Sequence, residues 1–185
     1  AMLRDAGVSA IFSTSCQQGR LEQYKQNNPS VLFINDTAMD DLKSGQPDTD
    51  INVGIRGDDP LNVIYSSGTT GMPKGILHTH RGRRDWAYDL ALALRYNSGA
   101  RTLITIGLYS NISWVSFLST LLAGGTLVVH KQFDVTRTLE TIEAESITNM
   151  SMVPIQYQRL MEHPNLKDYN LSTIKAVMSC GSPLH

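Results

Sequence analysis

Only two cysteines occur in the 185 residues, Cys16 and Cys180, far apart in the chain. That excludes a disulfide framework and a Cys-based metal site, and the expectation is two reduced thiols in a cytosolic protein. An excess of one charge is lacking as well: 16 Lys and Arg against 17 Asp and Glu leave a net charge of −1. No basic field is present to draw in nucleic acid. Every apolar run is broken by Ser, Thr or Gly before it reaches membrane-spanning length, so no membrane span is expected. The opening Ala1-Met2-Leu3-Arg4-Asp5 has no signal-peptide character. Repeats, low-complexity tracts and internal linkers are missing too. What remains is 41% apolar and 18% charged, the composition of one ordinary domain with a substantial core.

The stretch Tyr65-Ser66-Ser67-Gly68-Thr69-Thr70-Gly71-Met72-Pro73-Lys74-Gly75 packs three glycines, four hydroxyls and a lysine into one loop. Apolar runs flank it, Leu61 to Tyr65 before and Ile76-Leu77 after, so the local reading is strand, tight loop, strand. Glycine lets a ligand approach the main chain. Hydroxyls, backbone N–H groups and an ammonium together suit a polyphosphate. Composition alone suits an ordinary polar turn equally well. The order is not that of a Walker A loop, because Lys74 follows Pro73 and Gly75 stands where Ser or Thr is needed.

Elsewhere strands and helices alternate. Leu3 to Ala6 reads as a helix end stopped by Gly7, Val8 to Phe12 as a strand, and Leu21 to Asn28 as a polar helix. Val31 to Ile34 reads as a fully apolar, buried strand, and Thr37 to Ser44 as one or two helical turns. Gly45 to Pro60 is rich in Gly, Pro, Asp and Asn and reads as a surface loop. After His80, the residues Trp86, Leu90, Ala93 and Leu94 recur at helical spacing, with Arg81, Arg83 and Arg84 expected at a solvated helix start in preference to a phosphate contact. Arg101 to Ile106 is strand-like, and Trp114 to Ala123 is apolar nearly all round, which predicts a buried helix ended by Gly124-Gly125. Thr126 to His130, Ile147 to Met152 and Lys175 to Ser179 read as further strands. Asp134 caps a helix carrying Val135, Leu139 and Ile142, and Pro154 opens one carrying Tyr157, Leu160 and Met161. This alternation predicts an α/β layered fold, a mostly parallel sheet with flanking helices.

His78 and His80 would share a face of one strand, but no carboxylate or cysteine with ligand spacing joins them, so no metal site is assigned. Cys180 has no partner base and is not read as a nucleophile.

The residue order through Tyr65–Gly75 resembles the phosphate loop of the adenylate-forming superfamily, which includes acyl-CoA synthetases, adenylation domains and luciferases. The resemblance implies ATP as ligand, with Ser66, Ser67, Gly68, Thr69, Thr70, Gly71 and Lys74 on its phosphates and Lys74 touching the leaving pyrophosphate. Thr79-His80 matches the Thr-His pair that follows the loop in that family, with a packing or capping role. Gly107-Leu108-Tyr109-Ser110 stands where many members read Pro-Leu-Tyr/Phe-His, in a loop that walls the acyl pocket. The acyl-pocket candidates are therefore Tyr109, Ser110, Asn111 and Trp114, with Tyr109 substituting for a gating histidine and Trp114 read first as core packing. Ser179-Cys180-Gly181-Ser182-Pro183-Leu184 resembles a Gly-Gly-Ala-Pro-Leu segment and puts Gly181, Ser182 and Pro183 on the adenine side.

The family resemblance implies a ligase that joins a small carboxylic acid to CoA through an acyl-adenylate, using ATP, Mg²⁺ and CoA. A peptide-synthetase adenylation domain, a luciferase-like member and an inactive nucleotide-binding scaffold carry the same loop. Relatives hold Mg²⁺ and nucleotide with a Tyr-Gly-x-Thr-Glu segment, a ribose-binding aspartate and a C-terminal domain bearing the catalytic lysine. None of these occurs here, so residues 1–185 are read as a central fragment of one AMP-binding domain, with no catalytic residue assigned and no activity of its own. Apolar faces left uncovered in such a fragment lead to the expectation that it self-associates.

Overall fold

The computed structural model describes residues 2–66 and 73–182. The chain divides into two compact units, Ala1–Ile55 with Tyr65–Ile76, and Arg56–Ile64 with Leu77–His185.

In the first unit, helix α1 (Met2–Asp5) stops at Gly7, whose φ of +56° suits a residue without Cβ. Strand β1 (Ala10–Ser13), helix α2 (Gln18–Asn27) and strand β2 (Leu32–Asn35) follow, with β1 and β2 parallel and Ala10 opposite Leu32. The Tyr24 ring meets the Phe33 ring edge-on and ties α2 to β2. The strand expected over Val31–Ile34 begins one residue later and is not fully buried: Ile34 is enclosed, whereas Leu32 is exposed. Two strands and one short helix supply too few neighbours to cover both faces. Helix α3 (Met39–Lys43) follows a 3₁₀ turn started by Asn35, whose side-chain oxygen accepts from the Ala38 N–H at 2.9 Å. The stretch from Gly45 to Asp59 carries no helix or strand, as its composition predicts. Strands β3 (Pro60–Ser66) and β4 (Lys74–Thr79) pair with each other, and Pro60–Ile64 and Leu77–Thr79 of this pair belong to the second unit.

The second unit is built on four parallel strands: β5 (Arg101–Ile104), β6 (Thr126–Val129), β7 (Asn149–Met152) and β8 (Ala176–Ser179), in the spatial order β6-β5-β7-β8. Helix α4 (His80–Ala93) precedes them, and α5 (Asn111–Leu122), α6 (Val135–Ala144) and α7 (Pro154–Met161) make the crossovers. The caps follow the sequence. Thr79 Oγ1 accepts from the Gly82 N–H at 3.1 Å, so Thr79 has the capping role expected of it. Asp134 Oδ1 accepts from the Arg137 N–H at 2.8 Å, and Pro154 occupies the first turn of α7. Gly125 is required by space: a Cβ there would stand 2.6 Å from the Ala100 carbonyl oxygen.

Strand β7 explains the layering. All four of its residues, Asn149-Met150-Ser151-Met152, are buried. Met150 and Met152 join Leu103, Leu139, Ile142, Ile147 and Leu160 in one apolar cluster, the face covered by α6 and α7. Truncating one of these side chains to alanine costs about 2–5 kcal/mol in comparable cores. On the opposite face Asn149 Nδ2 donates to the Leu94 carbonyl, and the hydroxyl oxygens of Thr102 and of Thr120 on α5 lie in hydrogen-bond contact at 2.7 Å. Tyr157 of α7 clamps two strands by donating to the Met178 carbonyl at 2.9 Å and lying 3.3 Å from that of Met150; burial raises its pKa.

Helix α5 departs from expectation. It begins at Asn111, three residues earlier, and its buried stripe is Ile112, Ser113, Val115, Ser116, Ser119 and Thr120. Leu121 and Leu122 are exposed instead of buried. Small residues win the inward positions because α4 and the sheet approach closely there: Ser119 Oγ donates to the Ala87 carbonyl of α4, and Thr120 Oγ1 to Ser116 of its own helix. Met161 of α7 is likewise exposed. Among the described residues no helix is long and apolar enough to cross a membrane.

Candidate functional site

In the four-stranded sheet the chain leaves β5 toward β6 on one side and leaves β7 toward β8 on the other. Connections that diverge at the carboxyl ends of neighbouring parallel strands open a crevice, the usual ligand position in open α/β sheets. A hollow of about 540 Å³ lies there, lined by Thr105 and Gly107 after β5, Lys131 and Phe133 after β6, and Val153 and Gln156 after β7. Thr105 Oγ1 and Gln156 Oε1 lie 3.2 Å apart in its floor and tie the two diverging segments together.

Tyr109 and Ser110 line this hollow. Tyr109 is 81% exposed, and its ring folds back over Gly107. A Cβ on Gly107 would come within 2.6 Å of the ring carbon Cε1. Gly107 therefore makes room for the Tyr109 ring. The loop is pinned to α5 at two points: Ser113 Oγ donates to the Ile106 carbonyl at 2.7 Å and Trp114 Nε1 to the Leu108 carbonyl at 2.8 Å. Asn111, adjacent to Ser110, lines a different hollow and Trp114 lines neither, so the four acyl-pocket candidates are not gathered in one place.

That second hollow, about 400 Å³, is lined by His78, Thr79, Gly82, Arg83, Trp86 and Asn111. Arg83 was expected in a solvated arginine cluster, and the structure corrects this: it is 2% exposed, while Arg81 and Arg84 are exposed and pair with Asp58 and Asp85. Arg83 lies three residues before Trp86 and four before Ala87, so helical geometry turns it onto their inward face. That spacing was the signal available in the sequence. Its guanidinium carbon sits 4.9 Å from the Trp86 ring centroid and 5.3 Å from that of Trp114. Nε donates to Asn62 Oδ1 at 3.3 Å and Nη2 to Asn111 Oδ1 at 2.7 Å. Asn62, on β3, was another residue the sequence reading passed over. Desolvation lowers the Arg83 pKa without bringing its charge into question near neutrality. The same desolvation, with the positive charge of Arg83, lowers the pKa of His78, whose buried Nε2 has no hydrogen-bond partner among the described residues.

Of the residues expected on the phosphates, Ser66 closes β3 and Lys74 opens β4, both exposed. Ser67, Gly68, Thr69, Thr70 and Gly71 lie outside the described residues, as does Pro183. Tyr65, at the start of the loop, donates to Asp5 Oδ2 at 2.6 Å within the first unit, and that bond raises the phenol pKa. Gly181 and Ser182 follow β8 and are exposed; Gly181 has φ of +101°. His78 ends up on β4 but His80 starts α4, so the two imidazoles do not share a strand face. Among the described residues no group of three or more His, Cys, Asp or Glu side chains is placed to hold a metal ion. Cys16 and Cys180 are both free and exposed.

Over residues 1–185 the sequence matches the family described as AMP-binding enzyme. It is 33% identical over 137 residues to the feruloyl-CoA synthase of an Amycolatopsis species, which covers 73% of this chain and 27% of that protein. It is 28% identical over 190 residues to 4-coumarate–CoA ligase 2 of Nicotiana tabacum, covering 97% of this chain and 35% of the relative. Among solved structures it resembles the N-terminal domain of FACL13 from Mycobacterium tuberculosis, with a TM-score of 0.90 at 21% identity, across 100% of this chain and 47% of that one. The chain thus spans about a quarter to a third of the curated relatives and about half of that structural neighbour.

His78 and His130 both have pKa values lowered chiefly by desolvation. A folded-state pKa below the unfolded one means that protonation favours the unfolded chain. The stability they contribute is therefore complete above the ordinary histidine range and is lost as pH falls through it. The thermal midpoint is expected to drop between about pH 7.5 and about pH 5. The double variant His78→Gln, His130→Gln should show a shallower drop in the same melts, and an unchanged slope would contradict the assignment.

Proposed function

The chain belongs to the AMP-binding enzyme family, and from that premise we propose that it is the central part of the large domain of an ATP-dependent carboxylic acid–CoA ligase. The observation that carries this reading is the hollow at the carboxyl ends of β5, β6 and β7, bounded by the loop that bears Tyr109 and Ser110. The names of the relatives, a feruloyl-CoA synthase and a 4-coumarate–CoA ligase, support CoA ligation of a carboxylic acid.

In the proposed reaction a carboxylate oxygen attacks the α-phosphorus of ATP, and pyrophosphate leaves with the electrons of the broken P–O bond. The sulfur of CoA then attacks the acyl carbon, its proton passes to solvent, and AMP departs. Two anions must meet in the first step, so positioning and positive charge dominate the barrier. Ser66, Ser67, Gly68, Thr69, Thr70, Gly71 and Lys74 are assigned to the phosphates, Lys74 to the leaving pyrophosphate. Gly181, Ser182 and Pro183 are assigned to the adenine side. Tyr109, Ser110, Asn111 and Trp114 are assigned to the acyl group. Among the described residues no group of three or more His, Cys, Asp or Glu side chains is gathered as a protein cage for Mg²⁺.

A second copy of the chain is proposed to cover the exposed Val129 and Val177, which lie on the edge strands β6 and β8. Sedimentation equilibrium at high micromolar concentration should give a mass above 20.4 kDa, and a clean monomer would contradict this.

The ligase reading is tested in the enzyme that contains this segment. Lys74→Ala and Thr70→Ala each remove one donor from the phosphates, a loss worth about 3 kcal/mol or roughly a hundredfold in rate. Acid-dependent ATP–pyrophosphate exchange should slow by that order with little change in the apparent affinity for the acid. Exchange at the unsubstituted rate would sink the assignment.

A further inference from the structure

The hollow beside α4 holds a charge with no counter-charge. Arg83 is almost wholly enclosed, and among the described residues no carboxylate pairs with it. Its recorded protein partners are two neutral amides, from Asn62 and Asn111, and two indole faces, from Trp86 and Trp114. Nη1 donates to no group among the described residues. Enclosing a cation is costly unless an anion or a full set of acceptors meets it. The other titratable group of the lining is His78, whose lowered pKa leaves it uncharged near neutrality and whose Nε2 has no partner among the described residues.

We propose that Arg83 receives a second carboxylate of the acid, so that the acid taken by this protein is a dicarboxylate rather than a neutral-tailed one. The inference rests on the ligase reading, since it names the acid class for the same reaction. Net charge selects the carboxylate. The lining supplies one unit of positive charge, which a carboxylate neutralises and a phosphate dianion exceeds. A planar guanidinium suits a carboxylate in two-point contact. Trp86 and Trp114 flank the guanidinium, Asn62 and Asn111 take Nε and one hydrogen of Nη2, and the Nη1–Nη2 end is left for the ligand. Arg83 acts in this scheme as a specificity-determining residue and takes no part in the bond-making steps.

The protein carries its own probe. Its only two tryptophans are Trp86 and Trp114, and both flank Arg83. The 185-residue chain is titrated at constant ionic strength with glutarate and adipate, with their monomethyl esters, and with sulfate and phosphate, following tryptophan emission. Glutarate or adipate should shift the emission saturably, at concentrations about tenfold to a hundredfold below those needed for the matched monoester. Arg83→Met should erase that preference, and Arg83→Lys, which keeps the charge but not the fork, should retain a smaller one; circular dichroism checks that each variant is folded. Equal responses to diacid and monoester in the unsubstituted chain overturn the proposal, whatever the variants do. A stronger response to sulfate or phosphate than to any diacid overturns it in favour of an oxyanion site of another class. ATP binding, measured separately on the same chain, keeps the two readings apart. A chain that binds ATP without preferring diacids loses this inference alone, and one that binds neither ATP nor any acid loses both.

Discussion

A parallel sheet buries both of its faces, and most of the second unit follows from that constraint. Strand β7 has no exposed residue, so helices must lie on both sides of it. The two sides are covered by different chemistry. Below α6 and α7 the contact is apolar, through Leu103, Leu139, Met150 and Met152. Toward α4 and α5 it is made by small hydroxyl-bearing side chains, with Thr120 bonded to Thr102 and Ser119 to the α4 backbone. Small residues let α4 and α5 come close, and this closeness encloses the first turn of α4 and Arg83 within it. The same strand order makes the connections from β5 and β7 diverge, which opens the hollow reached by Tyr109 and Ser110.

The two hollows therefore have one structural origin. The loop from Gly107 to Ser110 borders the first, and its continuation, Asn111 at the start of α5, borders the second. Gly107 gives Tyr109 room to lie back, while Ser113 and Trp114 hold the loop to the helix. Asn111 then reaches Arg83 at 2.7 Å. A change in this short segment would be felt in both places.

Much of this was legible in the sequence. Asp134, Val135, Leu139 and Ile142 announced α6, Pro154 announced α7, and Thr79 announced the cap of α4. The alternation of elements gave the α/β class. The failures have physical causes. Helix α5 looked apolar all round, and hydrophobicity alone cannot say that Ser116 and Thr120 face inward while Leu121 and Leu122 face water; that depends on how near α4 lies. Val31–Ile34 looked like a buried strand because the number of strands beside it is not written locally. Arg83 was grouped with Arg81 and Arg84 by composition, although its spacing to Trp86 and Ala87 placed it on the inward face. Asn62 gave no local signal, because its role arises only when β3 is brought to α4 within the second unit.

The central claim is that a carboxylate oxygen of the acid attacks the α-phosphorus of ATP. The most direct measurement supplies the enzyme containing this segment with ATP, CoA and a carboxylic acid labelled with ¹⁸O in both oxygens, then determines the isotope content of the products by mass spectrometry. Attack at the α-phosphorus, followed by thiol attack on the acyl carbon, leaves one labelled oxygen in AMP and none in pyrophosphate. Label found in inorganic phosphate, with ADP as the nucleotide product, would mean an acyl-phosphate route and contradict the claim.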